Sequence, residues 1–197
     1  MLEYENKYLA EGKKLIAGID EAGRGPLAGP VCVAMVIMPL KEESIIEGVN
    51  DSKKLTEKKR EKLFDEIIAK AIAYHIEFVD ELTIDTINIL NATKLGMLSC
   101  INSIETKPDI VLIDAVKINS DIETVSIIKG DALSYSIACA SILAKVSRDR
   151  LMIELDNQYP QYGFAKHKGY GTKLHIDNLK TYGKCPCHRE SFIKNFI

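Results

Sequence analysis

The 197-residue sequence predicts an α/β protein built on a mixed sheet. Two observations carry that expectation. Short apolar, β-branched runs alternate along the chain with longer segments whose apolar residues recur at helical spacing. Hydrophobic residues make up 46% and charged residues 27%, the balance of a folded domain and not of a disordered or low-complexity chain. The length suits one domain, 1–197, with a basic segment from about 160 onward.

Residues 14–19 read as a short buried strand that ends abruptly in Asp20-Glu21. The stretch 22–30 is turn-rich, with Gly23, Gly25, Gly29 and two prolines. Residues 31–38 are apolar and rich in valine, a second strand stopped by Pro39. Over 56–73, Leu63, Phe64, Ile67, Ile68 and Ile72 fall on one face of a helix, with Thr56 as its N-cap. Residues 74–79 alternate like a strand, and 84–104 read as one helix. Beyond Pro108, 110–113 is a short strand ending in Asp114, and 124–128 is another, ending in Lys129-Gly130-Asp131. A long helix over about 132–155 is rich in Ser, Ala and Cys, small side chains that let a backbone lie close to its neighbours. Pro160 and Gly163 end it, and a basic loop with short helices follows.

Several classes of protein are excluded. The best apolar run, 31–38, falls well short of the ~20 residues a membrane-spanning helix needs. The opening Met-Leu-Glu-Tyr-Glu-Asn-Lys has early acids and no apolar core of a signal peptide. Five scattered cysteines argue for a reducing compartment, so the expected location is cytoplasmic. The formal net charge of -2 does not announce a nucleic-acid binder, but its distribution is uneven. From Gly163 to Arg189, Lys166, Lys168, Lys173, Lys180, Lys184 and Arg189 face a single acid, Asp177, with Tyr170 and Tyr182 interleaved. Such a stripe suits a phosphate backbone; its alternative is a solvated tail.

The acids fall in a pattern. Asp20-Glu21 and Asp114 each follow an apolar strand directly, and Asp131 lies just past a third. Ligands of open α/β sheets bind beyond the carboxyl ends of the strands. Carboxylates gathered there repel unless a cation sits among them, and oxygen donors without His or Cys suit Mg²⁺ or Mn²⁺. The implied chemistry is metal-assisted phosphoryl transfer, with two ions about 4 Å apart. Taken singly, Asp131 could be an N-cap, Asp114 a turn residue, and Glu21 a partner of Arg24. Gly23-Arg24-Gly25-Pro26-Leu27-Ala28 formally matches a dinucleotide fingerprint, but Pro26, Gly29 and Pro30 keep it from opening a helix, so that reading fails. A tight turn beside the acids remains, able to approach an anion or a sugar closely.

At this point the chain resembles the ribonuclease HII family, the type 2 ribonucleases H. The segment Asp20-Glu21-Ala22-Gly23-Arg24-Gly25-Pro26-Leu27-Ala28-Gly29-Pro30-Val31 is similar to the family signature. Asp51-Ser52-Lys53-Lys54-Leu55, Ile113-Asp114, Lys129-Gly130-Asp131 and the helix from Ser136 to Arg150 resemble its further blocks in order. So do Tyr159-Pro160-Gln161-Tyr162-Gly163-Phe164, His167-Lys168-Gly169-Tyr170-Gly171-Thr172 with His175, and His188-Arg189-Glu190-Ser191-Phe192. Cys139 in place of alanine and Ser147 in place of threonine are the departures. Arg24 separates the chain from ribonuclease HIII, which lacks an arginine in that turn and usually carries an N-terminal extension for which Asp20 lies too early here.

The resemblance implies a ribonuclease H-like fold: a mixed five-stranded sheet flanked by helices, with a C-terminal helical substrate-binding segment. It implies an endonuclease for RNA–DNA hybrids and for single ribonucleotides in duplex DNA, cutting on the 5′ side and leaving 3′-hydroxyl and 5′-phosphate ends. Asp20, Glu21, Asp114 and Asp131 become its metal-binding catalytic acids, with Mg²⁺ or Mn²⁺ as cofactor. Gly23, Arg24 and Gly25 become readers of the ribose 2′-hydroxyl, and Tyr170 packs on the sugar at the RNA-to-DNA junction. Ser52 and Lys53 are phosphate contacts or simply a basic loop before a helix. A monomer is expected, with no membrane contact and no identifiable recruiting protein.

Other features are weaker. Lys58, Lys59, Arg60 and Lys62 alternate with Glu57 and Glu61 as a solvated helix face. Lys145, Arg148 and Arg150 could touch DNA or pair with Asp149 and Glu154. Cys185, Cys187 and His188 invite a zinc reading, but C-x-C-H lacks a partner cluster. His167 and His175 could contact phosphate. A non-catalytic nucleic-acid-binding module with structural acids is the competing hypothesis.

Overall fold

A computed structural model describes all 197 residues. Five strands form one sheet in the order β3-β2-β1-β4-β5: β1 (Ile16–Ala22), β2 (Val31–Ile37), β3 (Ala73–Val79), β4 (Ile110–Asp114) and β5 (Thr124–Ile127). β2 runs antiparallel to β1 and to β3, whereas β4 runs parallel to β1 and β5 parallel to β4. The sheet is therefore mixed, as the sequence predicts.

Every residue of β2 is buried, because both faces of the sheet are covered. Cys32, Ala34 and Val36 pack against helix α6 (Tyr135–Gln158), while Val33, Met35 and Ile37 pack against α4 (Ile89–Ser103). That two-residue alternation is why the strand reads as one continuous apolar run. The small residues of α6 do what their size permits: Ala138, Cys139, Ala140 and Ala144 are fully buried against the sheet. β1 meets α6 at Gly18, where an added Cβ would lie 2.1 Å from the main-chain carbonyl carbon of Ser136. Gly18→Ala is accordingly expected to cost about 3 kcal/mol, since backbone on both sides must give way; chemical denaturation of the variant measures it.

Three boundaries differ from the sequence reading. The helix expected over 84–104 is two, α3 (Glu81–Ile87) and α4, broken at Asn88, whose φ of 65° leaves the helical region while its side chain caps Asn91 N at 3.1 Å. The long helix begins at Tyr135, not at 132, because Ser134 is extended and caps Ile137 N at 3.2 Å; residues before it form a separate turn, α5 (Gly130–Leu133). An N-terminal helix, α1 (Glu3–Ala10), went unanticipated. It buries Glu5, whose carboxylate accepts from Ser134 Oγ at 2.6 Å and Ser136 N at 2.9 Å at the amino end of α6, where a negative charge suits the helix dipole. Helix α2 (Glu57–Lys70) starts at its Thr56 cap as expected.

The C-terminal segment carries three short helices, α7 (Phe164–His167), α8 (Lys173–Tyr182) and α9 (Glu190–Ile193). It is fastened to the turn between β1 and β2 through a cluster of Ala28, Met152, Tyr162, Phe164, Cys185 and Cys187. No helix is long and apolar enough to cross a membrane.

Candidate active site

Strand register explains how the acids meet. β1 and β4 run parallel with Ile19 beside Ile113, so the next residue on each strand, Asp20 and Asp114, is an acid beside an acid. Asp20 lies two residues beyond Gly18, and Asp114 two beyond Leu112, both of which face α6; the acids share that face. β5 ends beside Asp114, and the turn after it returns Asp131 to the same place. Carboxylate oxygens of Asp20, Asp114 and Asp131 all lie within 4.8 Å of one another. The turn is locked by its own backbone: Gly130 N donates to Asp114 Oδ1 at 2.7 Å, and Lys129 caps α5 in the left-handed region with φ 58°. Asp131 thus lies inside the first turn of α5 and is not an N-cap.

The electrostatics are those of crowded acids. Burial, then the charges of Glu21 and Asp114, push the Asp20 carboxyl well above the ordinary carboxylate range. Burial likewise raises Glu21, opposed by the Arg24 guanidinium, which sits 3.3 Å from Glu21 Oε1. Burial raises Asp131 too, followed by the charges of Asp114 and of Asp51, a carboxylate the sequence reading did not single out. Asp51 caps the short 3-10 turn at Ser52–Lys54, accepting from Lys53 N at 2.9 Å.

One cleft brings the other anticipated residues together: it is lined by Asp20, Glu21, Gly23, Arg24, Gly25, Ser52, Lys53 and Tyr170. Asp114 and Asp131 line an adjoining hollow that Lys53 shares. Lys53 is largely exposed, with Nζ 3.8 Å from Asp131 Oδ2. Ser52 is buried and its hydroxyl is engaged with Ser141 Oγ at 2.8 Å, so it borders the cleft from behind. Tyr170 is 46% exposed, with its ring 3.8 Å from where a Cβ on Gly25 would stand.

Two buried arginines hold this turn, and neither has the role its sequence context suggests. The sequence offers Arg148 as a DNA contact or a partner of Asp149 and Glu154. It is 1% exposed and donates to the carbonyls of Pro30, Ala28 and Lys168 at 2.9, 3.0 and 2.9 Å. The sequence places Arg189 in the basic stripe. It is fully buried and donates to the carbonyls of Gly23, Arg24 and Gly29 at 2.7, 3.0 and 2.6 Å. Gly23, at φ 96°, leaves room for Arg148: an added Cβ would fall 1.9 Å from its Nε. The stripe thins further, since Lys173 pairs with Asp177 and Lys184 with Glu190. Arg150 pairs with Glu61, and Lys145 with Asp149 at 2.6 Å.

The histidines are also corrected. His167 and His175 are buried, so neither reaches a phosphate. Burial, together with the neighbouring rings of His167 and His188, lowers His175 to about 4, so it is neutral at neutral pH. Cys185, Cys187 and His188 do converge, with donor atoms within 4.8 Å of one another, but His188 Nδ1 already accepts from Cys185 N at 3.0 Å.

A mixed five-stranded sheet with carboxylates gathered at the ends of its parallel strands is an architecture of the ribonuclease H-like fold. Comparison with known proteins narrows this. The family model described as Ribonuclease HII matches residues 17–195. Ribonuclease HII of Caldicellulosiruptor bescii is 60% identical over 196 residues, 99% of this chain and 94% of its own. That of Acetivibrio thermocellus is 60% identical over 198 residues, 100% of this chain and 77% of its own. The crystal structure of ribonuclease H2 from Pyrococcus horikoshii superposes with a TM-score of 0.80 at 27% identity, covering 93% of this chain and 97% of that one. The chain belongs to the ribonuclease HII family, and with it to the endoribonucleases that act on RNA–DNA substrates.

Proposed function

We propose that the chain cleaves RNA in RNA–DNA hybrids and 5′ of single ribonucleotides embedded in duplex DNA, leaving 3′-hydroxyl and 5′-phosphate ends. The convergence of Asp20, Asp114 and Asp131 beside the Gly23-Arg24-Gly25 turn carries this reading. The role that follows is removal of ribonucleotides and RNA primers from DNA in the cytoplasm, by one copy of the chain.

The residues fit divalent ions. Glu21 Oε2 is buried without a hydrogen-bond partner, and burial and two neighbouring acids disfavour the charged form of Asp20, a penalty that a cation would relieve. An all-oxygen set of this kind suits Mg²⁺ or Mn²⁺. Asp20, Glu21, Asp114 and Asp131 would hold the ions. When bound, such ions make water acidic enough to supply the nucleophile and neutralise charge on the departing 3′-oxygen. The chain's own groups do the rest. Arg24 orients Glu21 through their ion pair. Main-chain groups of Gly23, Arg24 and Gly25 face the ribose 2′-hydroxyl, which DNA lacks. Tyr170 packs its exposed ring on the sugar at the RNA-to-DNA junction. Lys53 meets a phosphate, with Ser52 fixing its turn through Ser141. Residues 160–197 serve as the substrate-binding part of a single domain.

Cleavage of a duplex holding one ribonucleotide tests this directly. Product is expected with Mg²⁺ and with Mn²⁺ and none in EDTA, while duplex binding survives the chelator. Binding without cleavage under every metal condition would favour the non-catalytic module. Affinity is also expected to fall steeply with salt. Replacing Lys166 and Lys168 together by alanine should reduce the slope of log K against log salt by about 1 to 2, as loss of one or two phosphate contacts does. An unchanged slope would return both lysines to the solvated surface.

A further inference from the structure

The ring of Tyr170 is exposed, yet the main chain beneath it is held at five points. Gly169 N donates to His167 Nδ1 at 3.3 Å, and Gly169 O accepts from Leu27 N at 2.8 Å. Tyr170 N donates to His167 O at 2.9 Å, and Tyr170 O accepts from Thr172 N at 2.8 Å. The fifth partner is a buried side chain: His175 Nδ1 lies 2.9 Å from Tyr170 O. His175 Nε2 in turn lies 3.1 Å from His188 Nε2.

The proton positions in this row follow from its two ends. Cys185 N is a main-chain donor that points at His188 Nδ1 from 3.0 Å, and the Cys185 thiol, with Sγ 3.1 Å away, can donate to the same nitrogen, so Nδ1 is the acceptor. His188 therefore carries its proton on Nε2 and donates to His175 Nε2. His175 then carries its own proton on Nδ1 and donates to Tyr170 O, a carbonyl that can only accept. A main-chain N–H at one end and a main-chain carbonyl at the other give the row one consistent direction. The His175 ring is held in plane by stacking on His167 at 4.5 Å between centroids and by the edge contact of Phe164 at 5.4 Å.

A row of satisfied imidazoles is more than an exposed tyrosine needs for stability. The geometry points to His175 and His188 as positioning residues that aim Tyr170 at the sugar, and so set the enzyme's preference for a single embedded ribonucleotide. This rests on the role proposed above for Tyr170. Preorganising a contact group matters because small misplacements of it are costly in rate.

The test compares initial rates with Mg²⁺ on two substrates, a duplex with one ribonucleotide and a uniform RNA–DNA hybrid, using one preparation of each full-length variant. Their ratio cancels any loss of folded protein. His175→Leu removes the bond to Tyr170 O and should lower the ratio of embedded-site to hybrid cleavage about tenfold, the scale of one positioning hydrogen bond. His175→Asn places an amide N–H where Nδ1–H stood and should recover most of that ratio. Equal ratios for wild type and His175→Leu would overturn the proposal. So would His175→Asn behaving like His175→Leu, since the bond to the carbonyl would then not matter. Tyr170→Ala run alongside separates the two levels: no change in its ratio overturns the tyrosine's role and the row with it, whereas a changed ratio with an unaffected His175→Leu overturns the row alone.

Discussion

Asp20→Asn is expected to lose cleavage by about a thousandfold or more while still binding duplex, and to melt at a higher temperature than the wild type in EDTA. The first effect follows from charge. The amide keeps the shape of the carboxylate but removes one of the negative groups that would hold the cations, and several kcal/mol of transition-state stabilisation leave with it. The second effect has a definite sign with pH. Burial and the neighbouring acids raise the Asp20 carboxyl above the ~3.9 of an unfolded aspartate. A raised acid binds its proton more tightly when folded, so its ionisation costs stability as pH climbs from the unfolded value to the folded one. The cost is therefore larger at neutral pH than near pH 4, and asparagine removes it. The gain in melting temperature should therefore be largest near neutrality and shrink as pH falls towards 4. Near-normal cleavage would remove Asp20 from the metal site; a gain that does not depend on pH would contradict the electrostatic account.

Tyr170→Ala should leave the melting temperature almost unchanged and cut cleavage at a single ribonucleotide by about 10- to 100-fold, the range of an aromatic stacking contact. The ring is 46% exposed, so truncation opens no core cavity. Gly169 and Gly171 flank it, and the backbone bonds beneath it do not involve the side chain. Tyr170→Phe separates ring from hydroxyl: near-normal rates mean packing on the sugar dominates, and a loss close to that of alanine means the hydroxyl is required. Thermal melting and initial rates on the one-ribonucleotide duplex are measured together. A large drop in melting temperature with proportionate loss on every substrate would make Tyr170 structural.

The sheet and its acids were legible because both depend on local pattern. An apolar strand closing on Asp20 or Asp114 is visible in one dimension, and parallel register then makes the acids neighbours. The break at Asn88 was not, since Ile84 to Ile104 keeps its apolar character through it and only the backbone of that one residue, at φ 65° and ψ 163°, records the change. Helix α1 is short, and its reason for existing, Glu5 at the start of α6, is a contact spanning more than 120 residues. The basic tail misled for a physical reason as well. Arginine and histidine have donors that main-chain carbonyls satisfy as readily as phosphates do, so Arg148, Arg189, His167 and His175 look like ligand contacts until burial is known. Asp51 opens the block at 51–55 but reads there without a role, because its closeness to Asp131 is set by the fold and not by spacing along the chain.

Those two buried guanidinium groups have a consequence at a distance. Arg148 and Arg189 are surrounded by carbonyl dipoles, and the acceptors they bind are all main-chain oxygens. Burial lowers Arg189 to about 9, which leaves it protonated at neutral pH. The wall behind the Gly23-Arg24-Gly25 turn therefore carries two fixed positive charges wrapped in protein. Counterions screen surface lysines within about 8 Å at physiological salt, but they do not enter this wall. A polyanion approaching this turn would thus meet two kinds of attraction: one on the surface that dissolves as salt rises, and a second, deeper one that salt weakens less.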